Sequence, residues 1–240
     1  MSVPLICLPY AGGSAQVYKR WMNRLHPSVR LVPAELAGRG SRMKEPFYMD
    51  VAEAVQDLLP LIRQTALNSD SYALFGHSMG CLLGYEVLHA LFEEGTPLPS
   101  KVFFSGRGAP HCEHEGRRQI YRLPDDEFLK ELQKFGGMKS ELFEHPELLK
   151  IFMPILRADI QLVDEYVYHK RPPLPLRLDI LNGQNDDCIT GPLSEWELHT
   201  TLGCEQHAFD GGHFYLDERE QDVIALINKR LSEAHATTRF

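Results

Sequence analysis

Three residues far apart in the chain stand where a hydroxyl, a base and an orienting carboxylate could work together. Ser78 sits in Gly76-His77-Ser78-Met79-Gly80. Before it runs an apolar stretch suited to a buried strand. After it, Met79, Leu82, Leu83, Val87 and Leu88 share a helical face. G-x-S-x-G at a strand-to-helix turn is the nucleophile elbow. Its spacing has a steric origin, because strand and helix pass so close at such a turn that flanking side chains would clash. Gly76 and Gly80 remove those side chains. The pentapeptide alone is a weak signal, and its placement between strand and helix makes it strong.

A serine hydroxyl attacks only once a base takes its proton, and that base needs a carboxylate to hold it. The chain order expected behind an elbow is serine, acid, histidine, the last two on loops after later strands. "LRLDILNGQNDD" ends a strand candidate at Gly183 and offers Asp186 and Asp187. The Gly-x-x-Asp spacing favours Asp186, with Ile189 placed to anchor the loop, and Asp187 remains its competitor. "FDGGHFYL" offers His213 just after the last strand candidate.

Ten other histidines compete with His213. His77 lies in the elbow, too close in chain to act as the base, and is expected to flank the pocket. His111 and His114 straddle Cys112 in "HCEH", but the spacing fits no usual zinc pattern, so a surface loop is expected and no metal. His207 falls within the last strand candidate. Donors for the oxyanion of a tetrahedral intermediate are expected from the backbone N–H of Met79 and from Ala11 in the turn "PYAGGSA". That glycine pair is not the G-x-G-x-x-G dinucleotide fingerprint, and there is no P-loop.

Positioning these residues requires a sheet of parallel strands with helices between them, and the chain reads that way. Strands are expected in "PLICLPY", "VRLVPAEL", the run before Gly76, "SKVFFSG", "LRLDILNG" and "CEQHAFDGG". Helices are expected in "QVYKRWMNRL", in "DVAEAVQDLLPLIRQTAL" with its stripe Val51, Val55, Leu58, Leu59 and Ile62, after Ser78, and in "DVIALINKRL". "SEAHATTRF" reads as a frayed tail. The alternation breaks at about residues 107–170, where only helical segments occur, among them "PDDEFLKELQKF" and "HPELLKIFMPILRADIQLVDEY". Such an insertion is either a lid over the site or a set of helices packed permanently on the core. Residues 1–240 are read as one domain carrying it.

Length and composition agree. The 240 residues suit one α/β domain with a large core. With 43% hydrophobic and 24% charged residues the chain is an ordinary globular one, and its net charge of −8 argues against a nucleic-acid partner. Cys7, Cys81, Cys112, Cys188 and Cys204 are odd in number and lack CxxC spacing, which favours reduced thiols and a cytoplasmic location. "MSVPLICLPYAGG" lacks the basic start and long apolar run of a leader, and no window is apolar enough to span a bilayer.

Beyond these readings, "LPYAGGSA", "ELAGRGSR", "FGHSMG", "FLKELQKFGG", "LRADIQLVDEY", "NGQNDD" and "FDGGHFYL" resemble the type II thioesterases that accompany nonribosomal peptide and polyketide synthases. The resemblance runs from Leu8 to about Leu216. It implies an α/β-hydrolase fold with a helical lid at about 107–170. It also implies hydrolysis of acyl groups from the phosphopantetheine thiol of an acyl- or peptidyl-carrier protein, by a monomer without a cofactor. The family's triad falls on Ser78, Asp186 and His213, its oxyanion donors on Ala11 and Met79. Phe128, Leu132, Phe135, Met138 and Met153 would border the acyl chamber. The family often has Asp-Pro where this chain has Asp186-Asp187. Because carrier proteins are usually acidic too, docking is expected on local basic or apolar surface near Arg39, Arg42, Arg107, Arg117 or Arg118. Two rival readings are a general carboxylesterase or acyl-CoA hydrolase on the same triad, and a non-catalytic homologue that binds carrier proteins.

Overall fold

The computed structural model describes residues 2–112, 119–134, 136 and 146–237. Six strands form one parallel sheet: β1 (Val3–Leu8), β2 (Val29–Pro33), β3 (Ala73–His77), β4 (Lys101–Ser105), β5 (Leu178–Gly183) and β6 (Cys204–Phe209). Their spatial order is β2-β1-β3-β4-β5-β6. β1 is buried along all six residues, and so reads as an unbroken apolar run. Successive side chains still go to opposite faces. Ile6, Leu8, Leu74 and Phe104 join one core layer, while Leu5, Cys7, Phe75 and Phe103 join the other.

The first layer is closed by α2 (Val51–Leu67) and α3 (Met79–Glu93). α2 begins where Asp50 accepts the Glu53 N–H at 2.8 Å while Glu53 accepts the Met49 N–H at 2.7 Å, a reciprocal cap at its N-terminus. Its predicted stripe is largely the face it buries, with Val55, Leu58, Leu59 and Ile62 in the core. The second layer is closed by Tyr18, Trp21 and Leu25 and by α7 (Glu220–Thr237), which follows the one-turn α6 (Tyr215–Glu218).

Two expectations need correction here. "QVYKRWMNRL" is helical only as α1 (Gln16–Lys19) and continues as turns. Those turns still deliver Tyr18, Trp21 and Leu25 to the core, so burial at spacings of three and four does not require a continuous helix. "SEAHATTRF" is not frayed at its start, because α7 runs through to Thr237.

Between β4 and β5 the described residues contain no strand before residue 170. They contain α4 (Asp125–Lys134) and α5 (Pro146–Asp164), joined by a small apolar cluster of Ile120, Phe128, Leu132, Leu156 and Ile160. No helix among the described residues is long and apolar enough to cross a membrane.

The strand order reverses direction between β1 and β3. In an open parallel sheet, the loops leaving the carboxyl ends of two such strands part there and leave a crevice. The turn holding Ala11 leaves β1 and the turn holding Ser78 leaves β3, one on each side of it.

Candidate active site

Ser78 caps the N-terminus of α3 at φ 53° and ψ −112°, the one non-glycine residue with positive φ among those described. Its N–H donates to Ser105 O on β4 at 2.8 Å, and Cys81 N–H closes the first helical turn onto Ser78 O at 3.0 Å. Strain of this kind persists only where neighbours impose it. The glycine spacing supplies the room. A methyl at Gly76 would lie 2.3 Å from Gly80 O, and one at Gly80 would lie 2.2 Å from Leu8 O.

The structure brings Ser78, His213 and Asp186 into one hydrogen-bonded line. Ser78 Oγ lies 3.0 Å from His213 Nε2, across 135 residues of sequence. His213 Nδ1 lies 2.9 and 3.1 Å from the two oxygens of Asp186. The Asp186 side chain is wholly shielded from solvent, and its Oδ1 also accepts the Cys188 N–H at 2.9 Å. Asp187, its competitor, is exposed. A carboxylate on Nδ1 makes that nitrogen the donor and leaves Nε2 as the acceptor facing Ser78.

His77 packs its ring 5.1 Å from that of His213, centre to centre. It is fully buried, and burial first, then the nearby His213, push its pKa well below the ordinary histidine value. Its Nδ1 is bonded with Ser105 Oγ at 2.8 Å, and Ser105 Oγ with Tyr215 Oη at 2.6 Å. His77 is therefore a neutral ring packed behind His213, and it is not among the residues that line the cavity.

Met79 is the first helical residue of α3, and its N–H is among the amides a helix leaves without an internal acceptor. Ala11 lies in a turn closed by Gly13 N–H onto Tyr10 O at 2.8 Å, and Gly12 at φ +78° holds the position where a type II turn needs left-handed backbone. Ala11 and Ser78 line the same cavity. One feature of this turn escapes the sequence. Gly12 N–H donates at 2.7 Å to Asp159 of α5, whose carboxylate also receives both terminal nitrogens of Arg39, at 2.5 and 2.6 Å. Arg39 Nη1 donates to Gly13 O at 3.0 Å as well. Both side chains of this ion pair are almost wholly buried.

The cavity holds about 710 Å³. Ser78, His213, Ala11 and Tyr10 line it, along with Ile120, Leu132, Phe152, Leu156, Ile160 and Val163 from the insertion. The exposed Arg20 and Asp217, paired with each other, mark its solvent side. Of the expected chamber residues Leu132 lines it, Phe128 lies buried in the supporting cluster and Met153 packs partly buried against that cluster. Phe135 and Met138 lie outside the described residues. The α5 contribution was visible in principle, since positions 152, 156, 160 and 163 follow helical spacing.

The expected docking arginines are placed differently. Arg39 is 2% exposed and Arg107 is 8% exposed, so neither is basic surface. Arg42 is half-buried and held by Glu45 and Asp57. Arg117 and Arg118 lie outside the described residues, as does His114. The expected surface loop at His111 and Cys112 is also corrected, since both are half-buried. His111 Nδ1 is bonded with His199 Nε2 at 2.7 Å, His111 Nε2 with Glu195 at 3.0 Å, and His199 Nδ1 with Tyr85 Oη at 3.0 Å. Burial is the first cause that lowers the His199 pKa, to about 4. His111, Cys112 and Glu195 place ligand atoms within 4.8 Å of one another and are a set that could hold a metal, though His199 and Glu195 already engage both nitrogens of His111. The other such group, Asp186, Cys188 and His213, overlaps the hydrogen-bonded line.

Comparison with known proteins places the chain in one family. A family model of the thioesterase domain matches residues 3–231. The protein named linear gramicidin dehydrogenase LgrE, from Brevibacillus parabrevis, is 35% identical over 95% of this chain and 88% of its own. ClbQ from the colibactin NRPS/PKS pathway superposes with a TM-score of 0.90 at 31% identity, over 99% of this chain and all of its own. The type II thioesterase BorB from the borrelidin biosynthetic cluster superposes with a TM-score of 0.86 at 31% identity, over 96% of this chain and 93% of its own.

Proposed function

The chain belongs to the thioesterase family, and from that premise we propose that it hydrolyses acyl thioesters carried on the phosphopantetheine arm of acyl- or peptidyl-carrier proteins, clearing stalled synthases of nonribosomal peptide or polyketide assembly. The observation that carries the reading is the line Ser78–His213–Asp186, whose serine and histidine line a cavity that is mostly apolar on the side of the insertion. The reading includes a cytoplasmic monomer and one α/β domain whose insertion serves as a lid.

Ser78 Oγ attacks the thioester carbonyl carbon as its proton passes to His213 Nε2. The oxyanion that forms takes hydrogen bonds from the N–H groups of Ala11 and Met79. Asp186 holds the imidazolium through Nδ1 and keeps its charge paired. The C–S bond then breaks, and His213 gives its proton to the departing pantetheine sulfur. Water enters, loses a proton to His213 and attacks the acyl-serine carbonyl. A second tetrahedral intermediate collapses, the C–Oγ bond breaks, Ser78 recovers its proton and the free acid leaves. Every proton in this cycle moves through His213, and His77 is kept out of it by its engagement with Ser105.

The redox activity in the name of the Brevibacillus relative is not carried over. Gly12 and Gly13 are adjacent and the helix after them is a single turn, which is not the glycine pattern or the helix of a dinucleotide site.

The test is release of free acid from a panel of acyl groups loaded on carrier protein. Ser78→Ala is expected to lower the rate by at least about 10³-fold with the fold intact by circular dichroism. Near wild-type release by Ser78→Ala would sink the serine mechanism. Strong preference for free nitrophenyl esters or acyl-CoA over acyl-carrier protein would favour a general esterase.

A further inference from the structure

The turn that carries Ala11 is held from within by one hydrogen bond, Gly13 N–H onto Tyr10 O. Two of its residues are adjacent glycines, and Gly12 occupies left-handed backbone. An oxyanion donor lowers a barrier only when it is already aimed at the place where charge will form, so something outside the turn must fix it. Two bonds do so: Gly12 N–H onto Asp159, and Arg39 onto Gly13 O. Both depend on the buried Arg39–Asp159 pair, and Asp159 sits on α5 rather than on the sheet. α5 also touches the turn through Leu156, one helical turn earlier. A methyl on Gly12 would lie 2.4 Å from Leu156 Cδ2, so the helix rests directly on the glycine.

We propose that Arg39 and Asp159 are positioning residues for the oxyanion, and that the Ala11 amide is aimed only when α5 is seated on the Gly12–Gly13 turn. The same helix lines the chamber through Phe152, Leu156, Ile160 and Val163. Seating of α5 therefore both shapes the acyl chamber and completes the charge-stabilising site. Arg39 is what lets a carboxylate be buried there. Its planar fork satisfies both oxygens of Asp159 while one oxygen still accepts from Gly12. A lysine would keep the charge and lose that fork. This inference rests on Ala11 being an oxyanion donor, as proposed above.

The test compares wild type with three variants of the pair. Arg39→Met combined with Asp159→Leu replaces the ion pair by apolar side chains, a change that buried pairs often tolerate without unfolding. Asp159→Asn keeps the volume and removes the charge. Hydrolysis of an acyl-pantetheine thioester is expected to lose about 10- to 100-fold in kcat, with KM within about threefold, as for a displaced oxyanion donor. Affinity for an acyl-pantetheine trifluoromethyl ketone, which forms the tetrahedral oxyanion on Ser78, is expected to fall by the same factor as kcat/KM. The pH midpoint of kcat/KM should stay in place, since His213 and Asp186 are untouched. Arg39→Lys should recover little of the loss. Wild-type kcat and ketone affinity in the double variant would overturn the proposal, and so would a rise in KM with kcat unchanged. If the apolar pair does not fold, the same ratio read on Asp159→Asn decides it. Ser78→Ala is run alongside. If it stays active, the reading of the site has failed; if it is dead while the pair variants match wild type, only the positioning role has.

Discussion

At the residue scale the site turns on which atoms are shielded. Asp186 and Asp187 are neighbours of identical chemistry, yet the Asp186 carboxylate is fully buried against His213 Nδ1 and Asp187 faces water. Asp186→Asn is expected to lower kcat by about 10³- to 10⁴-fold, because an amide there can stabilise the wrong histidine tautomer. Asp187→Asn should leave kcat within about twofold. Steady-state hydrolysis by the two variants checks the pair, and the reverse ordering would move the acid to Asp187. Ser78, His213 and Asp186 were legible from sequence because local patterns mark each one: flanking glycines, a Gly-Gly pair, and a strand end followed by Gly-x-x-Asp. Arg39 and Asp159 stand in the motifs "ELAGRGSR" and "LRADIQLVDEY", but nothing local pairs one with the other. Their partnership spans 120 residues and exists only once α5 folds over the β1 turn, so Arg39 reads as one more surface arginine. His111 and His199 escaped for the same reason, since the two rings meet across 88 residues.

At the element scale, α5 is placed to shape whatever acyl group the cavity takes. Its apolar face at Phe152, Leu156, Ile160 and Val163 forms much of the chamber lining, and none of these positions belongs to the sheet. Phe152→Ala opens space without touching the Gly12 turn. The variant is expected to raise kcat/KM for a bulky or long acyl chain by about 10-fold relative to a short one, in keeping with what a few methylenes are worth in an apolar pocket. A chain-length series of acyl-carrier substrates measures this, and an unchanged profile would place the acyl group elsewhere. The inner strands were legible because parallel strands buried on both faces give short unbroken apolar runs. α2 was legible from its stripe, and α5 as one of the helical segments of the insertion. α1 was misread because Tyr18, Trp21 and Leu25 keep helical spacing across backbone that is mostly turn. Side-chain burial leaves its imprint on sequence, whereas the hydrogen-bond pattern beneath it does not.

At the scale of the whole molecule, burial of histidines links stability to pH. His89 and His199 are both held at about 4, with burial the first cause of each shift. In the unfolded chain each would titrate near 6.5. Between those values the unfolded state binds protons that the folded state refuses, so stability is lost as pH falls through 6.5 towards 4. His77, pushed well below the ordinary value, acts in the same direction. The urea midpoint is expected to be lower at pH 5 than at pH 7, in a range lying above ordinary carboxylate titration. Equal midpoints would mean that these rings accept protons without unfolding. The strand order has a further consequence, in the time taken to become functional. Ser78 and the Ala11 turn come early in the chain, but His213, the base of the proposed mechanism, arrives on the loop after β6, and the second core layer closes only with α7. Parallel neighbours pair only through long crossovers, which makes them late contacts in folding. During synthesis from the N-terminus, a nascent chain can therefore carry its elbow for most of its length and still be inert. Reactivity switches on with the final segment, after the sheet that must contain it is built.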